Sequence, residues 1–187
     1  MELENKKVIV TGADNNISRE IVKAFKENGA DVIFIRTDID NNISYSNDID
    51  ILINVVGSYL SNNNSDYNQL VETNLANINN HTPKIIENMI NQKSGLIINY
   101  TTKNCNLQDS VYSKGKCLVG NASDMLRDEL GKFNIRVMCI SASTIQSGIP
   151  YKTYKNISSP MQTAKSILKL ALNEMRQFYT DEILKAA

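Results

Sequence analysis

Residues 7–35, KVIVTGADNNISREIVKAFKENGADVIFI, decide the fold. The stretch opens and closes with short apolar runs rich in β-branched residues, which is typical of buried strands. Between these runs, apolar residues recur at helical spacing from Ile17 to Asn28, and Gly29 is well placed to end the helix. The pattern therefore predicts a strand, a helix and a second, parallel strand joined by a right-handed crossover.

The rest of the chain continues the alternation of buried strands and helices. Further strands are predicted at Ile49–Gly57, Gly95–Tyr100 and Ile135–Ser141, with a short last strand at Glu182–Leu184; helices are predicted at 66–91, interrupted at Pro83, at 110–131, and from Pro160 to about Met175. This order predicts an α/β fold, a Rossmann-like doubly wound parallel sheet covered on both faces. Because no linker or repeat interrupts the pattern, residues 1–187 are interpreted as a single domain.

Composition and charge exclude several classes of function. The chain of 187 residues is 42% hydrophobic and carries 20 basic and 20 acidic side chains, so it has no electrostatic footprint for nucleic acid. No apolar run approaches the ~20 residues of a membrane span, and no signal peptide is expected. The cysteines, Cys105, Cys117 and Cys139, lack the spacing of metal ligands. We expect a cytoplasmic protein with reduced thiols and no metal site.

A tyrosine and a lysine one helical turn apart form the candidate reactive pair. Tyr112 and Lys116 fall on one face of the predicted helix at 110–131. A cation beside a phenol lowers the phenol pKa from its usual value near ~10. A phenol tuned in this way can transfer a proton at roughly neutral pH. Upstream, the predicted strand at Gly95–Tyr100 is followed by the hydroxyls of Thr101 and Thr102.

The polar and glycine residues of interest follow the ends of the predicted strands. They are Gly12 after the first strand, residues 54–57 at the end of the third, Thr102 after the fourth, and residues 141–147 after the fifth. In open α/β sheets, ligands bind beyond the carboxyl ends of the strands. The sequence therefore predicts a ligand site at this edge of the sheet.

Motifs along nearly the whole chain resemble those of the short-chain dehydrogenase/reductase (SDR) family, nearest its 3-oxoacyl-carrier-protein-reductase-like members. The matching stretches are Thr11–Ser18 for the dinucleotide turn, Asp50–Gly57 for the Asn-Asn-Ala-Gly strand, Val71–Leu75 for the helix with the family's Asn, Gly95–Thr102 for the strand with the catalytic Ser, Tyr112 and Lys116 for the Tyr-x-x-x-Lys pair, Ile135–Ile145 for the strand and loop at the nicotinamide, and Pro160–Ala171 for the following helix. The motifs also occur in the family's order.

The resemblance implies a role for each matched position. Catalytic roles fall on Asn74, Thr102, Tyr112 and Lys116. Cofactor contacts fall on Gly12, Asn15, Asn16, Ile17, Arg36, Asn54, Gly57, Tyr112, Lys116, Ile145 and Ser147. The implied cofactor is NAD(P), and Arg36 tilts the preference slightly toward NADP, since arginine suits a 2′-phosphate. The implied substrate is a small carbonyl, alcohol or acyl thioester, and the implied assembly is a homodimer or homotetramer.

The chain also departs from the family pattern. Asn16 and Ser18 replace the second and third glycines of the turn, Ala142-Ser143 replaces Pro-Gly, and only ten residues separate Thr102 from Tyr112. Residues 36–48 are too few for the helix and strand that the family places there. We therefore expect a six-stranded sheet that lacks its outer edge strand and the accompanying helix.

Two functions follow from these observations. The first is an NAD(P)-dependent oxidoreductase that transfers a hydride between nicotinamide and a carbonyl or alcohol, with Tyr112 as general acid and base. The second is a degenerate, non-catalytic family member that serves as a binding or assembly subunit. The retained Asn74, Tyr112 and Lys116 favour the enzyme, and the altered glycine turn favours the alternative.

Overall fold

The computed structural model of the chain describes residues 2–12, 14–36, 48–55, 82–101, 111–141 and 159–186. In chain order the elements are β1 (Lys7–Gly12), α1 (Asn16–Glu27), β2 (Asp31–Arg36), β3 (Ile51–Val55), a helix α2 covering residues 82–92, β4 (Gly95–Thr101), α3 (Val111–Leu130), a 3₁₀ turn (Gly131–Phe133), β5 (Ile135–Ser141) and α4 (Pro160–Ala186). Each strand predicted before residue 142 is present, with small shifts at its ends.

The five described strands form one parallel sheet in the order β2-β1-β3-β4-β5. The register is continuous across the middle of the sheet, where Ile9 pairs with Leu52, Leu52 with Ile97, and Ile97 with Val137. The central strands are buried along their whole length, as expected of a parallel sheet with helices on both faces. The doubly wound α/β fold is confirmed.

Two apolar clusters hold helices against the sheet. On one face, α1 and α4 pack over β1, β3 and β4 through residues such as Phe25 and Ile167. On the other face, α2 and α3 pack over the same strands through residues such as Ile85, Met89 and Leu130. An exposed ion pair between Glu2 and Arg176 links the beginning of the described chain to α4.

The predicted last strand at Glu182–Leu184 is wrong, because α4 runs without interruption from Pro160 to Ala186. Three residues are too few to distinguish a strand period from a helical one, and a helix that is already formed adds residues more easily than a new strand forms. The described sheet therefore has five strands rather than six. Pro160 is the first residue of α4, where a missing N–H costs nothing.

β2 is the outermost strand of the described sheet on its side. Ile33 on this strand is 40% exposed, as expected of a strand at the edge of the described sheet. Residues 37–47, on which the prediction of a missing edge strand and helix depends, lie outside the described residues.

Candidate functional site

The turn between β1 and α1 brings the backbone of two strands unusually close together. Gly12 has φ +144°, and a Cβ there would lie 2.6 Å from the carbonyl oxygen of Val55 on β3. No other residue type fits both the conformation and the space. Gly12 therefore shapes the carboxyl end of the sheet at its central pair of strands.

Asn15 caps the N-terminus of α1 with its own side chain. Its Oδ1 accepts hydrogen bonds from the backbone N–H of Ile17 at 2.9 Å and of Ser18 at 3.1 Å. The Ser18 hydroxyl in turn accepts from the backbone N–H of Asn15 at 3.0 Å, which completes a capping box. Two amides that face an anion in a dinucleotide-binding turn are therefore engaged within the chain.

A carboxylate and two guanidinium groups flank the same turn. Arg19 Nε and Nη2 donate to the two oxygens of Asp14 at 2.6 and 2.9 Å. This hydrogen-bonded arginine lowers the pKa of Asp14, and the positive charge of Arg36 at the end of β2 acts in the same direction. Asp14 is therefore ionised at neutral pH, and part of the positive potential of both arginines is already compensated.

A row of polar side chains crosses four adjacent strands near their carboxyl ends. Thr11 is in register with Asn54, Asn54 with Asn99, and Asn99 with Cys139. These four residues lie on the sheet face that α2 and α3 cover. Each is two residues nearer the carboxyl end of its strand than the apolar row of Ile9, Leu52, Ile97 and Val137. The sheet face thus changes from apolar to polar just below the edge where ligands bind in this fold class.

Hydrogen bonds join the row into one chain. Thr11 Oγ1 donates to Asn54 Oδ1 at 2.7 Å, and Asn54 Nδ2 donates to Asn99 Oδ1 at 2.8 Å and to Thr82 Oγ1 at 3.2 Å. Asn99 Nδ2 donates to Ser123 Oγ at 2.8 Å. Each of these five side chains is 0–1% exposed. The chain of bonds therefore connects three strands with α2 and α3 entirely inside the protein.

Two further groups adjoin this chain. The hydroxyl of Thr101, the last residue of β4, is buried and has no hydrogen-bond partner in the described structure. Burial raises the pKa of the Cys139 thiol, whereas its hydrogen bond with Ser123 acts in the opposite direction. Cys139 is a free thiol.

The structure accounts for the predicted site residues unevenly. Gly12, Asn15, Asn16, Ile17, Arg36 and Asn54 lie at the carboxyl ends of β1, β2 and β3 or in the turn that follows β1. The backbone of Tyr112 and Lys116 lies in the first two turns of α3. Asn74, Thr102, Gly57, Ile145 and Ser147 lie outside the described residues.

Sequence analysis missed Thr82, Asn99 and Ser123 as parts of this region. Asn54 and Asn99 are each the polar residue that interrupts an otherwise apolar buried strand, ILINV and GLIINYT. Two such interruptions in neighbouring strands are a usable signal, because a buried amide needs a partner. The sequence analysis assigned Asn54 to cofactor binding; in the structure its side chain forms hydrogen bonds with Thr11, Thr82 and Asn99.

Within the described ranges, no group of three or more His, Cys, Asp or Glu side chains could hold a metal ion. The helices in those ranges include none that is both long and apolar enough to cross a membrane.

In the β1–α1 turn, one feature favours the binding of a dinucleotide and two features disfavour it. Gly12 permits the tight turn at the end of β1 that a dinucleotide-binding turn requires, because a Cβ there would meet the Val55 carbonyl. Opposing this, Asn15 holds the amides of Ile17 and Ser18, and ionised Asp14 lies next to them. Rotation of the Asn15 side chain away from these amides would leave both N–H groups open to an anion.

Comparisons with known proteins identify the family of the chain. A sequence model described as short chain dehydrogenase matches residues 39–158. The 3-oxoacyl-[acyl-carrier-protein] reductase FabG of Chlamydia pneumoniae is 29% identical, with 78% of this chain and 75% of that protein aligned. The FabG protein of Chlamydia trachomatis is 26% identical, with 97% and 96% aligned. Its alignment spans 239 positions although this chain has 187 residues, so this chain is internally shorter.

Solved structures give the same fold. A short chain dehydrogenase/reductase family protein superposes with a TM-score of 0.70 at 22% identity, covering 91% of each chain. The structure of gox2181 superposes with a TM-score of 0.71 at 19% identity, covering 94% of this chain and 91% of the other. Because the family model matches well over half of the sequence and the parallel sheet agrees with it, the chain belongs to the short chain dehydrogenase family, a family of oxidoreductases.

Proposed function

We propose that the chain is an NAD(P)-dependent oxidoreductase that interconverts a carbonyl and an alcohol, with Tyr112 as the general acid and base. One observation carries this proposal. The backbone of Tyr112 and Lys116 lies at the start of α3, which follows β4 and packs beside the buried polar row at the strand ends. Ligands of this fold class bind beyond the carboxyl ends of the strands, and this backbone position supports the assignment of the pair to such a site.

Each proposed catalytic residue has a distinct task. Tyr112 donates its proton to the substrate carbonyl oxygen during reduction and accepts it back during oxidation. Lys116 lowers the phenol pKa through its positive charge. Thr102 orients the substrate oxygen, and Asn74 supports a water-mediated proton path toward Lys116. When bound, the nicotinamide supplies the hydride.

We assign the cofactor to the strand ends and the β1–α1 turn. The proposed contacts are Gly12, Asn15, Asn16, Ile17, Arg36, Asn54, Gly57, Tyr112, Lys116, Ile145 and Ser147. Arg36 supports a slight preference for NADP, since its guanidinium suits a 2′-phosphate. Asp14 opposes that preference, because its carboxylate compensates nearby positive charge.

The proposed substrate is a small carbonyl, an alcohol or an acyl thioester. This class is supported by relatives that are named 3-oxoacyl-[acyl-carrier-protein] reductases and by one named tropinone reductase-like 2 from Erythroxylum coca, 24% identical. We further propose a cytoplasmic homodimer or homotetramer that binds neither nucleic acid nor membrane; the equal numbers of acidic and basic side chains support the last point.

The capped turn favours a second candidate function. If Asn15 does not release the amides of Ile17 and Ser18, the pyrophosphate has no anion site at α1. The chain would then be a non-catalytic binding or assembly subunit that keeps the fold of the family.

Titration of NADPH and NADH into the purified protein, followed by nicotinamide fluorescence, separates the two candidates. The oxidoreductase is expected to bind one of them with a micromolar dissociation constant. Reduction of a panel of 3-oxoacyl thioesters and small ketones should then depend on Tyr112, with Tyr112→Phe reducing kcat about 100-fold or more. The absence of binding at millimolar concentrations of both cofactors would instead support the non-catalytic subunit.

A further inference from the structure

The buried amides of Asn54 and Asn99 lie at the centre of a hydrogen-bond chain that ends on α3. We propose that Asn99 and Ser123 are positioning residues that fix the rotation and the axial register of α3, and so the placement of Tyr112 and Lys116. This inference rests on the proposed function for its effect on catalysis. Its structural part, the anchoring of α3, can be tested without turnover.

Donor and acceptor accounting makes the orientations of the two amides depend on each other. Asn54 uses Oδ1 to accept from Thr11 and both Nδ2 protons to donate to Thr82 and Asn99. Asn99 must then present Oδ1 to Asn54, and its Nδ2 reaches Ser123. A flipped Asn99 amide would place its NH₂ group against the NH₂ group of Asn54. The orientation of each amide is therefore fixed by its neighbour.

Ser123 completes the chain because it is bonded on both sides. Its Oγ accepts from Asn99 and donates to the carbonyl oxygen of Val119 at 2.6 Å. The hydroxyl proton is thus committed within α3, and the only role left for the oxygen toward β4 is that of acceptor. Asn99 supplies the matching donor from the sheet.

Positions 112, 116, 119 and 123 fall on one stripe of α3. Their spacings of four, three and four residues are those of a single helical face. Val119 and Ser123 are both 0% exposed, so this stripe is the one that faces the sheet. Ser123 therefore anchors the helical stripe that also contains positions 112 and 116, about 16 Å along the axis from position 112.

Apolar packing alone does not fix a helix as tightly as this bond does. Burial of Val119 and Leu130 stabilises α3 against β4 and β5, but the hydrophobic effect has no direction. A hydrogen bond is directional and weakens steeply as its angle closes. A misplacement of about 1 Å in a reacting group can cost about 100-fold in rate. The Asn99–Ser123 bond thus resists rotation and sliding of the helix that carries Tyr112.

A matched pair of serine variants tests the proposal. Ser123→Ala removes the contact to Asn99, the bond to the carbonyl of Val119 and the hydrogen bond with the Cys139 thiol. Ser166→Ala on α4 removes the same type of helical bond, from Ser166 Oγ to the Gln162 carbonyl at 3.0 Å, and no described bond to another element. Ser123→Thr keeps a hydroxyl and serves as the rescue variant.

Hydrogen exchange followed by mass spectrometry reports the anchoring directly. In Ser123→Ala, amides of residues 111–122 are expected to exchange at least about tenfold faster, whereas Ser166→Ala leaves them unchanged. In assays of the reductase, Ser123→Ala is expected to lower kcat about 10- to 100-fold and to raise the apparent pKa of the pH profile, with the cofactor dissociation constant changed less than about threefold. Ser123→Thr should restore most of each effect.

The outcomes separate this inference from the proposed function. Unchanged exchange in residues 111–122 of Ser123→Ala overturns the inference whatever happens to kcat. Faster exchange with an unchanged pH profile and kcat also overturns it, because the bond then serves packing alone. If the wild-type protein neither binds cofactor nor reduces any substrate, the proposed function fails, and the exchange result by itself decides whether Asn99 and Ser123 hold α3.

Discussion

The two faces of the sheet use the same strands for different purposes. On the face covered by α1 and α4, the inward residues remain aliphatic or aromatic along the whole of each central strand; in β4, for example, they are Leu96, Ile98 and Tyr100. On the face covered by α2 and α3, β4 begins with Ile97 and continues with Asn99 and Thr101. The α1–α4 face therefore contributes apolar packing to the stability of the fold. The α2–α3 face carries polar side chains near the carboxyl ends of the strands, where ligands bind in this fold class.

Burying polar side chains on the α2–α3 face costs free energy unless each of them has a hydrogen-bond partner. A buried amide without a hydrogen-bond partner costs about 1–3 kcal/mol. The α2–α3 face avoids this cost because Thr11, Asn54, Asn99 and Ser123 satisfy one another. The hydroxyl of Thr101 is the exception in the described structure, and it lies at the end nearest the predicted catalytic Thr102.

The largest effect is expected when an amide is placed on the aliphatic face. Ile53→Asn removes a fully buried side chain and leaves an amide among Val10, Ile98 and other apolar groups, so the free energy of unfolding should fall by about 4–6 kcal/mol. Urea unfolding followed by circular dichroism measures this loss. Ile53→Val, the matched control, should cost about 1 kcal/mol. A loss below 2 kcal/mol in Ile53→Asn would contradict the proposed division between the faces.

An intermediate effect is expected when the polar face loses its amide. Asn54→Leu leaves the Thr11 hydroxyl and the Asn99 carbonyl without their partner, which should lower the free energy of unfolding by about 2–4 kcal/mol. In the double variant Thr11→Val/Asn54→Leu, the total loss should be smaller than the sum of the two single losses, because both ends of one bond are then apolar. Strictly additive losses would show that the two side chains are not coupled.

A smaller effect on stability, with an opposite effect on binding, is expected at the β1–α1 turn. Asn15→Ala removes the cap and should cost about 1 kcal/mol of stability. The freed amides of Ile17 and Ser18 should lower the dissociation constant of the dinucleotide by about three- to tenfold. Calorimetric titration and thermal unfolding measure the two quantities on one sample.

Asn28→Ala provides the control for this turn. It removes a side-chain bond at the other end of α1, from Asn28 Nδ2 to the carbonyl of Ala24 at 2.9 Å, and should leave the dinucleotide affinity unchanged. Weaker binding in Asn15→Ala alone would mean that the Asn15 side chain binds the cofactor; tighter binding would leave only the Asn15 backbone as a contact.

The smallest effect concerns the thiol in the polar row. Because burial raises the pKa of Cys139, the thiol is protonated and should react with Ellman's reagent far more slowly in the folded protein than in urea at pH 8. A Cys105→Ser/Cys117→Ser background isolates this thiol. Its raised pKa stabilises the fold below the pKa of the unfolded thiol, and this contribution is lost as the pH rises through the folded pKa. Equal rates in the two states would contradict the burial.

The elements of the fold could be predicted because their signals are local. KVIVT, DVIFI and IRVMCIS are short apolar runs rich in β-branched residues, and each is a strand in the structure. Glu182–Leu184 could not be assigned correctly, since three residues carry no period of their own.

The site was harder to predict because its contacts are between distant parts of the chain. Asn54 and Asn99 are 45 positions apart, and only the register of β3 and β4 brings their amides to 2.8 Å. The role of Asn15 as a cap was equally hidden, since the asparagine-rich turn predicts a bend without saying which side chain turns back to the helix. Tyr112 and Lys116 could be proposed as a pair because their spacing lies within one helix, and both residues do lie in α3.

The packing of α4 on α1 sets the order in which the protein can finish folding on the ribosome. Ile21 and Phe25 of α1 are covered by residues of α4, among them Ala164 and Ile167, more than 130 positions later in the chain. During synthesis, the apolar surface of the β1–α1–β2 unit therefore stays exposed until α4 has left the ribosome. Such long-range closure slows folding and leaves the nascent chain dependent on protection from aggregation.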